Sequence, residues 1–113
     1  MLLALDVGNS NVTIGAFDHE DIVGRWRLRT IHEQTADEWG ILIRILFALS
    51  RLDLNAVQDV AISSVVPAVD QPLEAMSERY FRRKPMFVNS SSDLGITVRY
   101  DNPREVGADR LVN

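Results

Sequence analysis

Apolar and polar positions follow two rhythms along this chain. The apolar run Leu2-Leu3-Ala4-Leu5 meets a carboxylate at Asp6 and continues into Val7. Gly8-Asn9-Ser10-Asn11 interrupts it, and Val12 to Phe17 is apolar again apart from Thr13 and Gly15. That pattern predicts a buried strand, a tight polar turn and a second strand. Gly8 can take positive φ, and Asn9 and Asn11 tolerate the left-handed region, so the segment supplies turn chemistry. Asp18-His19-Glu20-Asp21 reads as a second polar turn. Ile22 to Arg29 then alternates, with Ile22, Gly24, Trp26 and Leu28 opposed to Val23, Arg25, Arg27 and Arg29. A period of two with charges on one side predicts a strand with one solvated face. These segments together predict a three-stranded antiparallel meander.

The rhythm changes at Thr35-Ala36-Asp37-Glu38, a capping box with Thr35 as N-cap and Glu38 at the third helical position. The helix is expected to run to about Leu52. Its apolar residues, Trp39, Ile41, Leu42, Ile43, Ile45, Leu46, Phe47 and Leu49, exceed one helical stripe. Packing on two sides is expected, against the sheet and against a second partner such as another subunit. Asp53 to Asn55 is a break. Asp59 to Val66 reads as a strand that follows a helix, which implies a parallel crossover. Pro67 ends it and opens a second helix, in which Leu73, Met76 and Tyr80 recur as core positions. Arg82-Arg83-Lys84 suits a solvated helix C-terminus. Pro85 to Val88 is a short strand, Asn89 to Asp93 a loop, and Gly95 to Arg99 a further extended piece.

A meander followed by helix, strand, helix and strand is the order of the ribonuclease-H-like half of actin-type kinases. The fold class expected is α/β, a mixed sheet of that kind. The chain of 113 residues suits one domain, with no internal repeat or boundary. A net charge of −4 argues against a nucleic-acid-binding surface. Cysteine is absent, which removes disulfides, a thiolate nucleophile and thiolate metal sites, and fits a reducing compartment. Asp6 interrupts the first apolar run too early for a secretory signal. Trp39 to Leu49 contains Arg44 and is too short to span a bilayer. His19 and His32 fall in expected turns, share no ligand spacing and are expected to be exposed.

Asp6 is the first candidate for chemistry. A buried strand should not end in an ionised carboxylate without a positive partner, and a hydrated Mg²⁺ on a nucleotide is one. Gly8, Asn9 and Ser10 would then offer N–H groups, an amide and a hydroxyl to phosphate oxygens. The plainer alternative is an ordinary hairpin in which Asp6 makes an Asx-type hydrogen bond. The glycine spacing fits neither a Walker A loop nor a GxGxxG fingerprint. Arg25, Arg27 and Arg29 admit an anion site, but alternation alone predicts the solvated strand face, which is the preferred reading. The second cluster is Tyr100-Asp101-Asn102-Pro103-Arg104-Glu105-Val106-Gly107-Ala108-Asp109-Arg110. Asn102-Pro103 and Glu105 carry helix-start signals. Gly107 and Ala108 allow close approach, and Asp109 and Arg110 set an acid beside a guanidinium. A capped helix start with two exposed charges is the competing account.

Three segments, Asp6-Val7-Gly8-Asn9-Ser10, Ser63-Ser64-Val65-Val66-Pro67 and the Tyr100 to Arg110 stretch, stand in the order and rough spacing of type III pantothenate kinases. The chain resembles that family over its whole length. The resemblance implies an actin-like fold and ATP-dependent phosphorylation of pantothenate to 4'-phosphopantothenate, the first step towards coenzyme A. It implies a phosphate-binding segment over Asp6, Val7, Gly8, Asn9, Ser10, Asn11, Val12 and Thr13, with Asp6 on Mg²⁺ through water. It also implies substrate contacts from Tyr100, Gly107, Ala108, Asp109 and Arg110, with Asp109 as general base. Similar proteins are cytoplasmic homodimers that need Mg²⁺ and a monovalent cation such as K⁺ or NH₄⁺. Ser10 stands where the family usually has Thr, and the hydroxyl survives. The family is roughly twice this length, in keeping with a second domain of ordinary size. Residues 1–113 are therefore expected to be the N-terminal actin-like domain, inactive alone. A second domain is expected to carry the adenine and monovalent-cation sites. The alternative is a non-catalytic regulatory protein, similar to transcription-activator relatives, on the same scaffold.

Overall fold

Strand β1 (Leu2–Val7) is apolar toward both faces, and it lies at the centre of a five-stranded sheet. It pairs antiparallel with β2 (Asn11–Asp18), from Leu2 opposite Phe17 to Val7 opposite Val12. On its other side it runs parallel to β4 (Asp59–Ser64), from Leu2 beside Asp59 to Val7 beside Ser64. β3 (Asp21–Arg29) extends the antiparallel side and β5 (Met86–Val88) the parallel side, giving the order β3-β2-β1-β4-β5. This computed structural model describes residues 1–88. The expected loop Asn89–Asp93, the extended piece Gly95–Arg99 and the Tyr100 to Arg110 cluster lie outside the described residues.

Two helices cover one face of the sheet. Helix α1 (Ala36–Leu49) starts at the expected capping box. The Glu38 N–H donates to Thr35 Oγ1 at 3.2 Å, and the Thr35 N–H donates to Glu38 Oε1 at 2.8 Å. Trp39, Ile43 and Phe47 of α1 join Leu3, Leu5, Val7, Val12, Ile14 and Ile62 in the main core. Each such side chain contributes roughly 1.5–3 kcal/mol on burial. Helix α2 (Asp70–Met76) crosses α1, adding Leu73 and Met76. Gly40 allows the crossing to be close, since a Cβ there would lie 2.3 Å from the Tyr80 ring.

Several expectations from the sequence are corrected. Helix α1 ends at Leu49, short of Leu52, because Arg51 takes a left-handed φ of 58°. The Leu52 N–H reaches back to the Phe47 carbonyl and the Arg51 N–H to that of Ala48. This is a Schellman stop made without the usual glycine, so no local signal marked it. Helix α1 packs on the sheet through Trp39, Ile43 and Phe47 and on the second helix at Gly40, while Ile41, Ile45 and Leu49 are exposed. β4 stops at Ser64, whose Oγ accepts from the Val66 N–H at 3.0 Å and turns the chain. The second helix is a composite, with a 3₁₀ turn Pro67–Val69 before α2 and a π turn Ser77–Phe81 after it. Phe81 is buried in the core there, whereas Tyr80 is half-buried and gives its hydroxyl to Asp37. In β3 the pairing skips Val23, so that Ala16 faces Gly24 and Phe17 faces Ile22. This bulge sends Ile22 to the other face, beside Leu2 and Phe17, and not with Trp26 and Leu28.

Candidate active site

The pleat of β1 decides what Asp6 faces. Leu3, Leu5 and Val7 point to the helices, so Leu2, Ala4 and Asp6 point to the opposite face. Strand pairing sets Thr13 of β2 on one flank of Asp6 and Ser63 of β4 on the other. Both hydroxyl residues are buried, each only 4% exposed. Arg27 of β3 stands opposite Thr13. A polar row, Ser63–Asp6–Thr13–Arg27, thus crosses four strands near one end of the sheet. The row next to it is small, with Gly15 and Ala61 flanking Ala4. Arg25 and Arg29 are exposed on the same face as Arg27, opposite Gly15 and Asn11.

The Asp6 carboxylate is half-buried, and burial pushes its pKa above the ordinary value. It receives no hydrogen bond from any described residue. The Asx hydrogen bond of an ordinary hairpin is therefore not formed. A desolvated carboxylate without a partner raises the free energy of the fold, and a cation held there would offset that cost. Among the described residues no three acidic or histidine side chains converge as a metal cage. A single carboxylate beside two hydroxyls suits Mg²⁺, which keeps several waters and takes other ligands from substrate phosphates.

Beyond Asp6 the chain turns through Gly8–Asn11. The Gly8 N–H donates to the Asn11 carbonyl at 2.8 Å, and a Cβ on Gly8 would come within 3.2 Å of that oxygen. Gly8 serves this close approach. Neither it nor Asn9 nor Asn11 uses the left-handed region open to it. A four-residue turn tied to its surroundings does not need the mirror-image backbone of a two-residue hairpin. The ties come from the segment after β3. Thr30, itself buried, donates from Oγ1 to the Gly8 carbonyl at 2.8 Å and from its N–H to the Ser10 carbonyl at 2.9 Å. His32 is exposed as expected, and its Nε2 lies 3.2 Å from the Asn9 carbonyl. Asn9, Ser10 and Asn11 are exposed.

Of the segment singled out from sequence, Asp6, Gly8, Asn9, Ser10, Asn11 and Thr13 are thus brought together. Val7 and Val12 are fully buried in the helix-side core and contribute backbone only. Tyr100, Gly107, Ala108, Asp109 and Arg110 lie outside the described residues. Sequence reasoning missed Thr30 and His32, which have no motif and are recognisable only by what they touch. Ser63 was part of a quoted motif without a role, and strand pairing supplies its place beside Asp6. A separate cleft opens at the other end of β1, where His19 and the Met1 amine are outnumbered by the carboxylates of Asp18, Glu20, Asp21 and Asp59. That charge would repel phosphate, so the cleft is no rival for it. No helix among the described residues is long and apolar enough to cross a membrane.

Among solved structures, a ROK hexokinase from Thermus thermophilus superposes with a TM-score of 0.62 at 12% identity, over 88% of this chain and 38% of that one. At that identity the likeness speaks for the fold alone, and the fold is the actin-like, ribonuclease-H-like kinase fold expected from the element order. Two curated relatives align with the whole chain. A type III pantothenate kinase of Solibacter usitatus is 61% identical and one of Anaeromyxobacter sp. (strain Fw109-5) is 52% identical. The chain spans 43% and 44% of their respective lengths. The family model described as type III pantothenate kinase matches residues 2–113. With that match across nearly every residue, the chain belongs to the type III pantothenate kinase family.

Proposed function

We propose that the protein carrying this chain phosphorylates pantothenate at the expense of ATP, giving 4'-phosphopantothenate in the first step of coenzyme A biosynthesis. The observation that carries the reading is Asp6, a half-buried carboxylate without a partner among the described residues, at the end of the central strand beside an exposed turn. Family membership and the names of the matched relatives support the substrate assignment. The matched relatives are named as kinases, and nothing favours a regulatory protein on this scaffold.

In this reading Asp6 holds hydrated Mg²⁺ near the phosphates, and the Gly8–Asn11 turn with Thr13 receives phosphate oxygens. Bound Mg²⁺ supplies charge neutralisation on the phosphates during transfer. The chain's own residues position the phosphates and leave the acceptor hydroxyl in line. Tyr100, Gly107, Ala108 and Arg110 bind pantothenate, with Arg110 suited to pair with its carboxylate. Asp109 orients the primary hydroxyl and accepts its proton as the phosphoryl group transfers. Residues 1–113 form the N-terminal domain of a two-domain, cytoplasmic, homodimeric enzyme activated by K⁺ or NH₄⁺, whose cation site is assigned to no residue here.

The test is ATP turnover by the full-length enzyme with and without pantothenate, across a Mg²⁺ titration. Turnover should require both. Asp109→Asn should lower kcat roughly 10²–10⁴-fold, the usual range for a general base, with ATP binding and melting temperature retained. A kcat within a few-fold of the parent, with a small loss of thermal stability, would reduce Asp109 to a helix-capping residue.

A further inference from the structure

Three consecutive carbonyls of the turn after β1 are already engaged. Those of Gly8 and Ser10 accept from Thr30, and that of Asn9 lies within reach of His32 Nε2. The N–H groups of Asn9 and Ser10, by contrast, make no hydrogen bond with any described residue, and both residues are exposed. The Gly8 N–H is taken up inside the turn by the Asn11 carbonyl. Carbonyl oxygens repel phosphate and amide N–H groups attract it. The turn therefore has its repelling groups tied back and two of its attracting groups open. Nothing within the turn itself enforces that sorting. Both tying residues come from the segment between β3 and α1, twenty or more positions along the chain.

We propose that Thr30, assisted by His32, is a positioning residue that clamps the carbonyl side of the Gly8–Asn11 turn so that the Asn9 and Ser10 N–H groups face the nucleotide phosphates. The inference rests on the phosphate-binding reading of that turn. Thr30 carries most of the effect. It is buried and holds two carbonyls through two different atoms, whereas His32 is exposed and reaches one. The clamp touches neither the acceptor nor the reacting atoms, so its loss should appear in nucleotide binding before it appears in the chemical step.

The experiment is steady-state kinetics on the full-length enzyme, with ATP and pantothenate varied separately and a melting curve for each variant. Thr30→Val removes the hydroxyl donor and keeps the shape. It should raise KM for ATP about 10-fold, the size of one hydrogen bond of positioning, with kcat within about 3-fold and KM for pantothenate unchanged. Thr30→Ser restores a hydroxyl and should return KM for ATP to within about 2-fold of the parent. His32→Ala, on an exposed side chain whose loss leaves the fold intact, should raise KM for ATP about 2- to 3-fold and keeps the proposal testable if Thr30→Val does not fold. A lower melting temperature with KM for ATP unchanged in Thr30→Val and His32→Ala would overturn the clamp and leave Thr30 a structural residue. Asp6→Asn, measured alongside, separates the two levels. If it impairs Mg²⁺-dependent ATP use while the Thr30 and His32 variants do not, the clamp alone fails. If Asp6→Asn is also without effect, the phosphate reading fails and the clamp with it.

Discussion

The two faces of the sheet are built from the same strands and differ most sharply at the end where Asp6 lies. Toward the helices β1, β2 and β4 present Leu3, Leu5, Val7, Val12, Ile14, Val60 and Ile62, closed over by Trp39, Ile43 and Phe47. Toward the other side the same strands present a smaller apolar patch of Leu2 and Phe17 at one end, then Ala4, Gly15 and Ala61, then Asp6, Thr13 and Ser63. The first face holds the fold together through burial of large aliphatic and aromatic groups. The second contributes less to stability, and at Asp6 it opposes folding through desolvation. A strand is a convenient device for this division because consecutive residues must point to opposite sides. The core that fixes Leu5 and Val7 fixes Asp6 between them. Rigid placement of the Asp6 carboxylate is therefore a by-product of packing the opposite face.

Substitutions should respect that division. The largest effect on stability is expected on the helix side. Phe47→Ala removes a fully buried ring that packs near Trp26 and Phe81, and should cost roughly 3–5 kcal/mol in urea unfolding. A loss below about 1 kcal/mol, the range of exposed sites, would mean that the helix layer is not the source of stability.

Asp6→Asn should invert the pattern. Metal-dependent ATP turnover by the full-length enzyme should fall by roughly 10²-fold or more, the scale of losing one charge-stabilising group, while the fold is retained. Its pH dependence sharpens the point. Burial holds the folded pKa of Asp6 above its unfolded value. The stabilisation linked to the protonated form is complete below the unfolded pKa and is lost as pH rises through the raised folded pKa. In melting curves taken without nucleotide or metal, the parent should lose stability relative to Asp6→Asn across that window. Parallel curves would show that Asp6 is not desolvated in the way its position implies.

The smallest effect is expected at the edge of the helix layer. Thr35→Ala removes the hydroxyl that accepts from the Glu38 N–H, leaves the backbone N–H that donates to Glu38 Oε1, and should cost about 1 kcal/mol, with kinetic constants unchanged. A change in KM for ATP would mean that the start of α1 is coupled to the Thr30 and His32 segment that precedes it.

The strands and the start of α1 were legible because their signals are local. Period-two alternation marked β3, and four residues of capping box marked Thr35 as the N-cap. The end of α1 was not legible, since Arg51 occupies a left-handed position that a glycine would have announced. The bulge at Val23 was equally silent: the alternation of Ile22, Gly24, Trp26 and Leu28 is unbroken in sequence, yet pairing with β2 moves Ile22 to the other face. At the candidate site, Asp6 stood out as a charge in an apolar run. Thr30 did not, because a threonine after an alternating strand is ordinary until its partners are known.

By itself, then, the sequence determined the element order as far as β5, the antiparallel meander, the parallel crossover and a carboxylate, Asp6, whose burial needed a reason. Those are properties of neighbours along the chain, set by side-chain periodicity and capping. Only the tertiary structure decided that Thr13 and Ser63 flank Asp6, that Arg27 shares its face, and that Thr30 and His32 hold the turn by its carbonyls. Strand register and long-range hydrogen bonds join residues tens of positions apart, and no local preference encodes which carbonyl a distant hydroxyl will find.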